Sequence, residues 1–516
     1  MAKPTIDIEL SPADLGLPRF VEAHLAIVVR AKPEPHDCQR AVQELLATYP
    51  MLAMRMDFWV CHCFPGSVIF SLANGPDLMD LGLQQRTKLL PSDYPPEIYH
   101  SRVLKKDLDE VLPCQTAKVG PPAVQLLDTC SLTDCLNFNR DIWDEICGEP
   151  VLRIRVVFFN DAWAVRFIMS HTLGDIRAMY WIADCFFAFL SGREVQTVSP
   201  IRSILAFKSD TIDSWNALTA SGTTHSVAED HQHEIVAGWL PTILSGARQI
   251  LWSAYEASSP RRQVNKSLFI PQCIIDYWVQ GARREGIQVT EHDLLMGFIY
   301  EATYQALSAP PHFTFLMNFH QQLQSPGPLG NTWFQIPIPA LHKSKSSPST
   351  PFPKDHSSTL LPMLLHHAQL IRDTIIKCRH PACFPEIHEQ HRRLGTTPWR
   401  PRSFGTRSPH VMVSCWTKQQ WYELDCTGGT PLFVDLGACF YRLFQLLGVQ
   451  GPDDFVGTIK CPGGRNSTLM GDHEGYWVQG RLPEVTWATM VDMLTVVSFG
   501  DGGGQKQGLG QTFANI

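Results

Sequence analysis

Two residues in this chain are placed to move protons: His171 and Asp175, four apart in SHTLGD. An imidazole titrates near neutrality, so one held beside an acceptor hydroxyl can act as a general base. Of the 20 histidines, no other has an aspartate four residues on. The plainer reading is a half-buried, hydrogen-bonded histidine, followed by an aspartate that only caps a helix.

The elements that position the pair can be read from periodicity. Leu152, Ile154, Val156 and Phe158 alternate with Arg153, Arg155, Val157 and Phe159, as in a half-buried strand. Asn160-Asp161 is a turn pair. The alternation resumes at Trp163, Val165, Phe167 and Met169, which makes His171 the last residue of that apolar row. After Asp175, the residues Ile176, Met179, Tyr180, Ala183, Phe186, Phe187 and Leu190 recur at helical spacing, and Ser191-Gly192 closes the helix. The unit is therefore strand, tight turn, amphipathic helix, with an imidazole at the turn.

Bulk properties narrow the function. At 516 residues the chain suits two or more domains with ample core. A net charge of −7 and a pI near 6.3 argue against a general nucleic-acid or acidic-membrane binder. The opening MAKPTIDIELSPADLGLP lacks a secretory core, and no apolar run reaches bilayer-spanning length. The 15 scattered cysteines then read as reduced thiols of a cytoplasmic protein.

Along the chain, a strand is expected over His24 to Val29, then a helix through CQRAVQELLATYP ending at Pro50. Residues 193–262 lose periodicity and read as a crossover between domains. A helix follows near 271–285. In VTEHDLLMGFIYEATYQAL, Thr290 and Asp293 form a near capping box, with Leu294, Leu295, Phe298, Ile299 and Ala302 as the buried face. FTFLMNFHQQL and LGNTWFQIPIPAL are strand-like, 342–358 is a solvated linker, and a helix covers 359–378. HVMVSCW, PLFVDLG and GYWVQGRL are strands, and a last helix lies near 482–495. The glycine-rich tail from Gly500 lacks the strand and helix that a phosphate loop needs. Cys378, His380, Cys383, His388 and His391 crowd together, but their spacing fits no zinc finger and no metal is expected. No GxSxG, Walker or HExxH motif occurs.

In order along the chain, these segments resemble the BAHD family of CoA-dependent acyltransferases, which share the chloramphenicol acetyltransferase fold. The similarity is to its fungal trichothecene O-acetyltransferase branch. LSPADLGLP with HLAIVVR resembles the family's opening strand, LLATYPMLAMRM its first helix end, and SHTLGD its HxxxD signature. VTEHDLLMGFIYEA resembles the helix that opens the family's second half, and MNFHQQL with LGNTWFQIPIP its D-x-R and GN segment. VSCWTKQQWYELDCTGGTPLFV resembles the TSW to DFGWG block, and HEGYWVQGRLPEVTWATM the final strand and helix. Ile176 stands where the family usually has glycine, and of DFGWG only Asp425 and Gly429 remain.

The resemblance implies an α/β fold of two pseudo-symmetric domains, mixed sheets backed by helices, with a tunnel between them. The expected division is 1–195, a crossover at 196–262, 263–499 and a tail at 500–516. It implies acyl-CoA, acetyl above all, as cosubstrate, and a hydrophobic small-molecule alcohol or amine as acceptor. His171 would be the base, and Asp175 would stiffen the turn. In the family an arginine pairs with that aspartate. Here the position reads Asn318-Phe319-His320, so His320 is the expected partner, in place of helix capping by Asp175. A histidine there would make the turn pH-sensitive.

Ser414 and Asn331 are the oxyanion candidates. Lys266, Arg283 and Arg284 are the candidates for CoA phosphates, against a reading as solvated surface charges. Trp163, Phe167, Trp333 and Phe334 would line an apolar tunnel suited to a terpenoid, alkaloid or polyketide, unless they are plain core. A monomer is expected. Two alternatives stay open: the same fold diverted to intramolecular cyclisation or condensation, and a non-catalytic binding protein.

Overall fold

The computed structural model describes residues 6–9, 21–30, 33–53, 55–56, 67–71, 98–112, 114–116, 125–128, 132, 135–136, 150–171, 173–195, 263–306, 312–319, 333–338, 357–380, 383, 410–416, 419–427, 429–435, 440–441, 455–462 and 475–499. The first half contains β1 (Ile6–Glu9), β2 (Val21–Val29), α1 (Pro35–Thr48), β3 (Arg55–Met56), β4 (Ser67–Ser71) and β5 (Tyr99–Val103). It continues with α2 (Leu108–Val111), β6 (Cys114–Thr116), β7 (Gln125–Asp128), β8 (Leu152–Phe158), β9 (Trp163–Ser170) and α3 (Ile176–Ser191). The second half contains β10 (Gln263–Pro271), α4 (Gln272–Arg284), α5 (Glu291–Ala306), β11 (His312–Asn318), β12 (Trp333–Ile338) and α6 (Ser357–Arg379). It ends with β13 (His410–Trp416), β14 (Phe433–Asp435), β15 (Phe440–Tyr441), β16 (Phe455–Pro462), β17 (Gly475–Pro483) and α7 (Glu484–Phe499).

Two large mixed sheets dominate. The first runs β14-β2-β9-β8-β5, with β15 also on β2; the second runs β12-β11-β13-β16-β17-β10-β7-β6. A small sheet of β1, β4 and β3 stands apart. The expected sequential boundaries are crossed twice. Strands β6 and β7 come from the first half yet extend the second sheet through Lys266↔Asp128 to Phe269↔Gln125. Strands β14 and β15 come from the second half yet pair with β2. Each lobe therefore completes its sheet with chain from the other.

Each sheet buries one face against helices. Trp163, Val165, Phe167 and Met169 join α1 and α3 in the first-lobe core. There Trp163 meets Phe187 edge-on at 6.0 Å, and Phe167 meets Phe186 at 5.4 Å. Such pairs add about 0.5–1.5 kcal/mol beyond their buried area. Trp163 and Phe167 are thus core residues, which corrects their expected place in a tunnel wall; the side chains of Trp333 and Phe334 lie outside the described residues. In the second lobe, α5 carries the capping box. Thr290 N donates to Asp293 Oδ2 at 2.8 Å, and Asp293 N donates to Thr290 Oγ1 at 3.3 Å. Its expected apolar face, Leu294, Leu295, Phe298, Ile299 and Ala302, is fully buried.

The opposite faces of the two sheets meet. Ala26, Val28, Val157 and Ala164 of the first sheet pack with Phe269 and Trp477 of the second, and Phe433 of the exchanged strand lies among them. Phe433 stands edge-on to Trp477 at 5.2 Å, and Gln479 Nε2 donates to the Val434 carbonyl at 2.7 Å. Cys378 and Cys383 are buried in the second-lobe core, while His388 and His391 lie outside the described residues. Residues 196–262 and the tail lie outside them too. No described helix is long and apolar enough to cross a membrane.

Gly475 opens β17 opposite Pro271, and its missing β-carbon is a packing requirement. A Cβ placed there would sit 2.3 Å from the Ile270 carbonyl oxygen and 2.6 Å from the Phe269 ring. Gly475→Ala is expected to destabilise the protein by about 1–3 kcal/mol through overpacking at the lobe interface. Urea unfolding measures this, and an unchanged midpoint would contradict it.

Candidate active site

Strand β9 ends at Ser170, and His171 opens the turn to α3. Leu173 N donates to the Ser170 carbonyl at 3.0 Å, closing the turn back on the strand end. The strand therefore stops one residue short of His171, and the row that was expected to end on His171 ends on Met169. His171 is 8% exposed and Asp175 2%.

Asp175 divides its carboxylate between two tasks. Oδ1 accepts from Arg177 N at 2.9 Å, so Asp175 is the N-cap of α3, and its carbonyl accepts from Met179 N at 3.2 Å. Oδ2 accepts from Asn318 Nδ2 at 3.3 Å, at the end of β11 in the other lobe. Capping and pairing across the lobes coexist, which corrects the expectation that one excludes the other: the two oxygens diverge, one along the helix axis and one across the interface. His320 lies outside the described residues. The partner seen from that segment is a neutral amide, which does not titrate. Next to Asp175, burial lowers the Arg177 guanidinium from its ordinary pKa, while Asp175 acts the other way.

A buried polar chain lies on the face of the first sheet that meets the other lobe. Arg153 Nη2 donates to Glu22 Oε1 at 2.6 Å, and Glu22 Oε2 lies 3.4 Å from His24 Nε2. Arg166 Nη2 donates to His24 Nδ1 at 2.6 Å. An imidazole nitrogen that accepts from a guanidinium carries no proton, so this geometry describes a neutral His24 with its proton on Nε2. Arg155 Nη1 donates to the Ile98 and Ile154 carbonyls at 3.1 and 3.2 Å. By strand alternation, these side chains share the face of Ala26, Val157 and Ala164. Charged groups this deep must be paired or hydrogen-bonded, so the chain sets the alignment of β8, β2 and β9 beneath the turn.

The other sequence candidates fall into place unevenly. Ser414 is buried on β13, and its Oγ accepts from Trp416 Nε1. Val411 and Val413 point into the second-lobe core while Trp416 packs in the first, so Ser414 faces the first lobe. Asn331 lies outside the described residues. Asp425 meets Arg193 at 3.4 Å on the surface, and Cys426 N donates to the Gly429 carbonyl at 2.9 Å around Thr427, whose φ is 56°. That block is a tight turn leading the chain into β14. Lys266 pairs with Glu484 at 3.8 Å, and Arg283 and Arg284 are exposed in the last turn of α4, where cations suit the helix dipole. Among the described residues, nothing joins these three cations to His171 or Asp175, and no group of three or more His, Cys, Asp or Glu is gathered for a metal.

Sequence reasoning passed over Asn318, Glu22, His24, Arg153 and Arg166. The signal was present for the arginines, since a charge repeated on one face of an otherwise apolar strand marks a buried polar surface. Asn318→Asp sets a second carboxylate against Asp175 and is expected to destabilise more than Asn318→Ala. The alanine variant takes a donor from a buried carboxylate, about 1.5–3 kcal/mol. Unfolding curves for the two variants give the order, and the reverse order would show that Oδ2 does not depend on this donor.

No protein-family model and no curated protein sequence matches this chain. Solved structures do. F. sporotrichioides TRI101 in complex with coenzyme A and T-2 superposes with a TM-score of 0.57 at 12% identity, covering 94% of this chain and 97% of that one. F. graminearum TRI101 with coenzyme A and deoxynivalenol gives 0.55 at 10% identity, over 94% and 96%. Vinorine synthase gives 0.54 at 13% identity, over 96% and 94%. Across nearly its whole length, the chain has the two-lobed chloramphenicol acetyltransferase-like fold of TRI101 and vinorine synthase.

Proposed function

We propose that the protein is an acyl-CoA-dependent acyltransferase with His171 as its general base. The observation behind this reading is the buried turn at the end of β9, where His171 and Asp175 sit and Asp175 is tied to Asn318 of the opposite lobe. That tie brings the turn to the seam between the sheets, where two substrates could reach one imidazole from opposite sides. Neighbours of the same fold have been crystallised with coenzyme A, and with T-2 or deoxynivalenol. The finer reading is an acetyl donor, a hydrophobic secondary-metabolite alcohol or amine as acceptor, and a cytoplasmic monomer.

In this scheme His171 removes the acceptor proton as the acceptor oxygen or nitrogen attacks the thioester carbonyl. The carbonyl becomes a tetrahedral oxyanion. The carbon–sulfur bond then breaks, and the imidazolium returns its proton to the departing thiolate. Ser414 is the oxyanion donor in this reading: its Oγ already accepts from Trp416, which leaves its own O–H to donate toward the seam. Asp175 is a positioning residue, fixing the turn through its two oxygens.

The test is thiol release from a panel of acyl-CoAs with candidate alcohols and amines. His171→Ala should lower the turnover rate by about 10²–10⁴-fold while leaving the fold intact. Ser414→Ala should lower it by about 10²–10³-fold with little change in KM. Undiminished thiol release from folded His171→Ala would remove the assignment.

A further inference from the structure

The buried polar chain on the first sheet has a direction, and it points toward His171. Arg153 pairs across the sheet with Ile168, and Glu22 pairs with Ser170. The 2.6 Å bond from Arg153 Nη2 to Glu22 therefore runs from β8 across β9 to β2, two strand spacings or about 10 Å. It passes over Ile168 and Ser170, the last two residues of β9 on that face, and His171 follows directly. Arg166 pairs with Ala26, yet its Nη2 reaches His24, one pleat nearer the same end. Both guanidiniums thus lean from their own positions toward the strand end that carries the imidazole.

The same face is richer in cations than an alignment network needs. Its buried charged residues, among those described, are Arg153, Arg155, Arg166, Glu22 and Asp435. Asp435 shares the face through its pairing with Ala26. That sets three guanidiniums against two carboxylates, and the neutral His24 adds no charge. Asp175 lies past the strand end, with the Arg177 guanidinium beside it. Arg155 stands directly opposite Arg166 on the neighbouring strand. Like charges so placed weaken a sheet, and charge this deep is costly to hold, so stability alone does not account for the arrangement.

We propose that Arg153 and Arg166 form a cationic wall that recognises a carboxylate on the substrate brought to His171. This rests on the acyltransferase reading and narrows its substrate class. A guanidinium suits a carboxylate because its planar N–H edge matches the two oxygens. Among residues this buried, such a contact is stronger than on the surface. The phosphates of CoA lie at the far end of the pantetheine arm from its sulfur, so an anion beside the base belongs to the acyl group or to the acceptor. In the first case the donor is a dicarboxylic acyl-CoA in place of acetyl-CoA. In the second the acceptor is a hydroxy or amino acid.

The experiment has two arms, each comparing acids with neutral counterparts on the intact protein. The donor arm sets malonyl- and succinyl-CoA against acetyl- and propionyl-CoA. The acceptor arm sets mandelic and ricinoleic acids against their methyl esters. Each arm is read by calorimetric binding and by thiol release. In one arm the acids are expected to bind at least about tenfold more tightly, the effect of one charge-assisted hydrogen bond, with a matching rise in kcat/KM. That arm identifies which substrate carries the carboxylate. Arg166→Gln should bring the ratio close to one, because glutamine can still donate to His24 Nδ1 but carries no charge. Neutral members bound as tightly as the acids in both arms overturn the proposal, and thiol release in that case leaves the acyltransferase reading standing. Acid-selective binding that is lost in Arg166→Gln, with no thiol release, supports the wall and counts against the acyltransferase reading. A ratio unchanged in folded Arg166→Gln also overturns the proposal, and if that variant does not fold, the wild-type ratios decide.

Discussion

One buried carboxylate governs how the strand-end histidine is presented. Asp175 is nearly sealed from water, so each of its oxygens needs a donor. One finds it at the first turn of α3 and the other at Asn318. The first contact sets where the helix begins and hence how tightly the chain turns after β9. The second fixes that turn relative to the opposite sheet. Because the carboxylate has little alternative solvation, the two contacts act as one geometric constraint spanning both lobes.

That constraint works only because the lobes are interleaved. Strands β6 and β7 are built from first-half chain but complete the second sheet, and β14 and β15 do the reverse. Phe433, Phe269 and Trp477 then form an apolar seal at one end of the shared face. The other end is lined by Glu22, His24, Arg153 and Arg166 in hydrogen-bonded contact. The apolar end supplies non-directional burial, while the polar end demands one alignment of its strands. Domain motion about the seam would have to break sheet ladders, which makes the interface more rigid than an ordinary contact between domains.

The two faces of β13 show how one strand serves two environments. Ser414 and Trp416 look toward the first lobe, while Val411, Val413 and Cys415 look toward the helices of the second. A shift of register by one residue would exchange these sets. The parallel pairing of β13 with β11 and β16 holds the register, and with it both the hydroxyl facing the seam and the thiol packed against the second-lobe core.

Much of this was legible in the chain itself. Period-two alternation gave β8 and β9, helical spacing gave α3, and the Thr290–Asp293 spacing gave the start of α5, because local backbone geometry repeats in the residue pattern. The histidine and aspartate at the turn were also visible, as was the order of family-like segments that pointed to a two-lobed acyltransferase-like fold. Their surroundings were not. That Trp163 and Phe167 are core depends on which helix covers the face they occupy, and alternation alone does not say so. That Asn318 reaches Asp175, that β6 and β7 leave their own half, and that Arg153 reaches Glu22 and Arg166 reaches His24 all depend on contacts between residues over a hundred positions apart. Local pattern settles which face of an element is apolar. Which distant polar group satisfies a buried oxygen is settled only when the chain has packed.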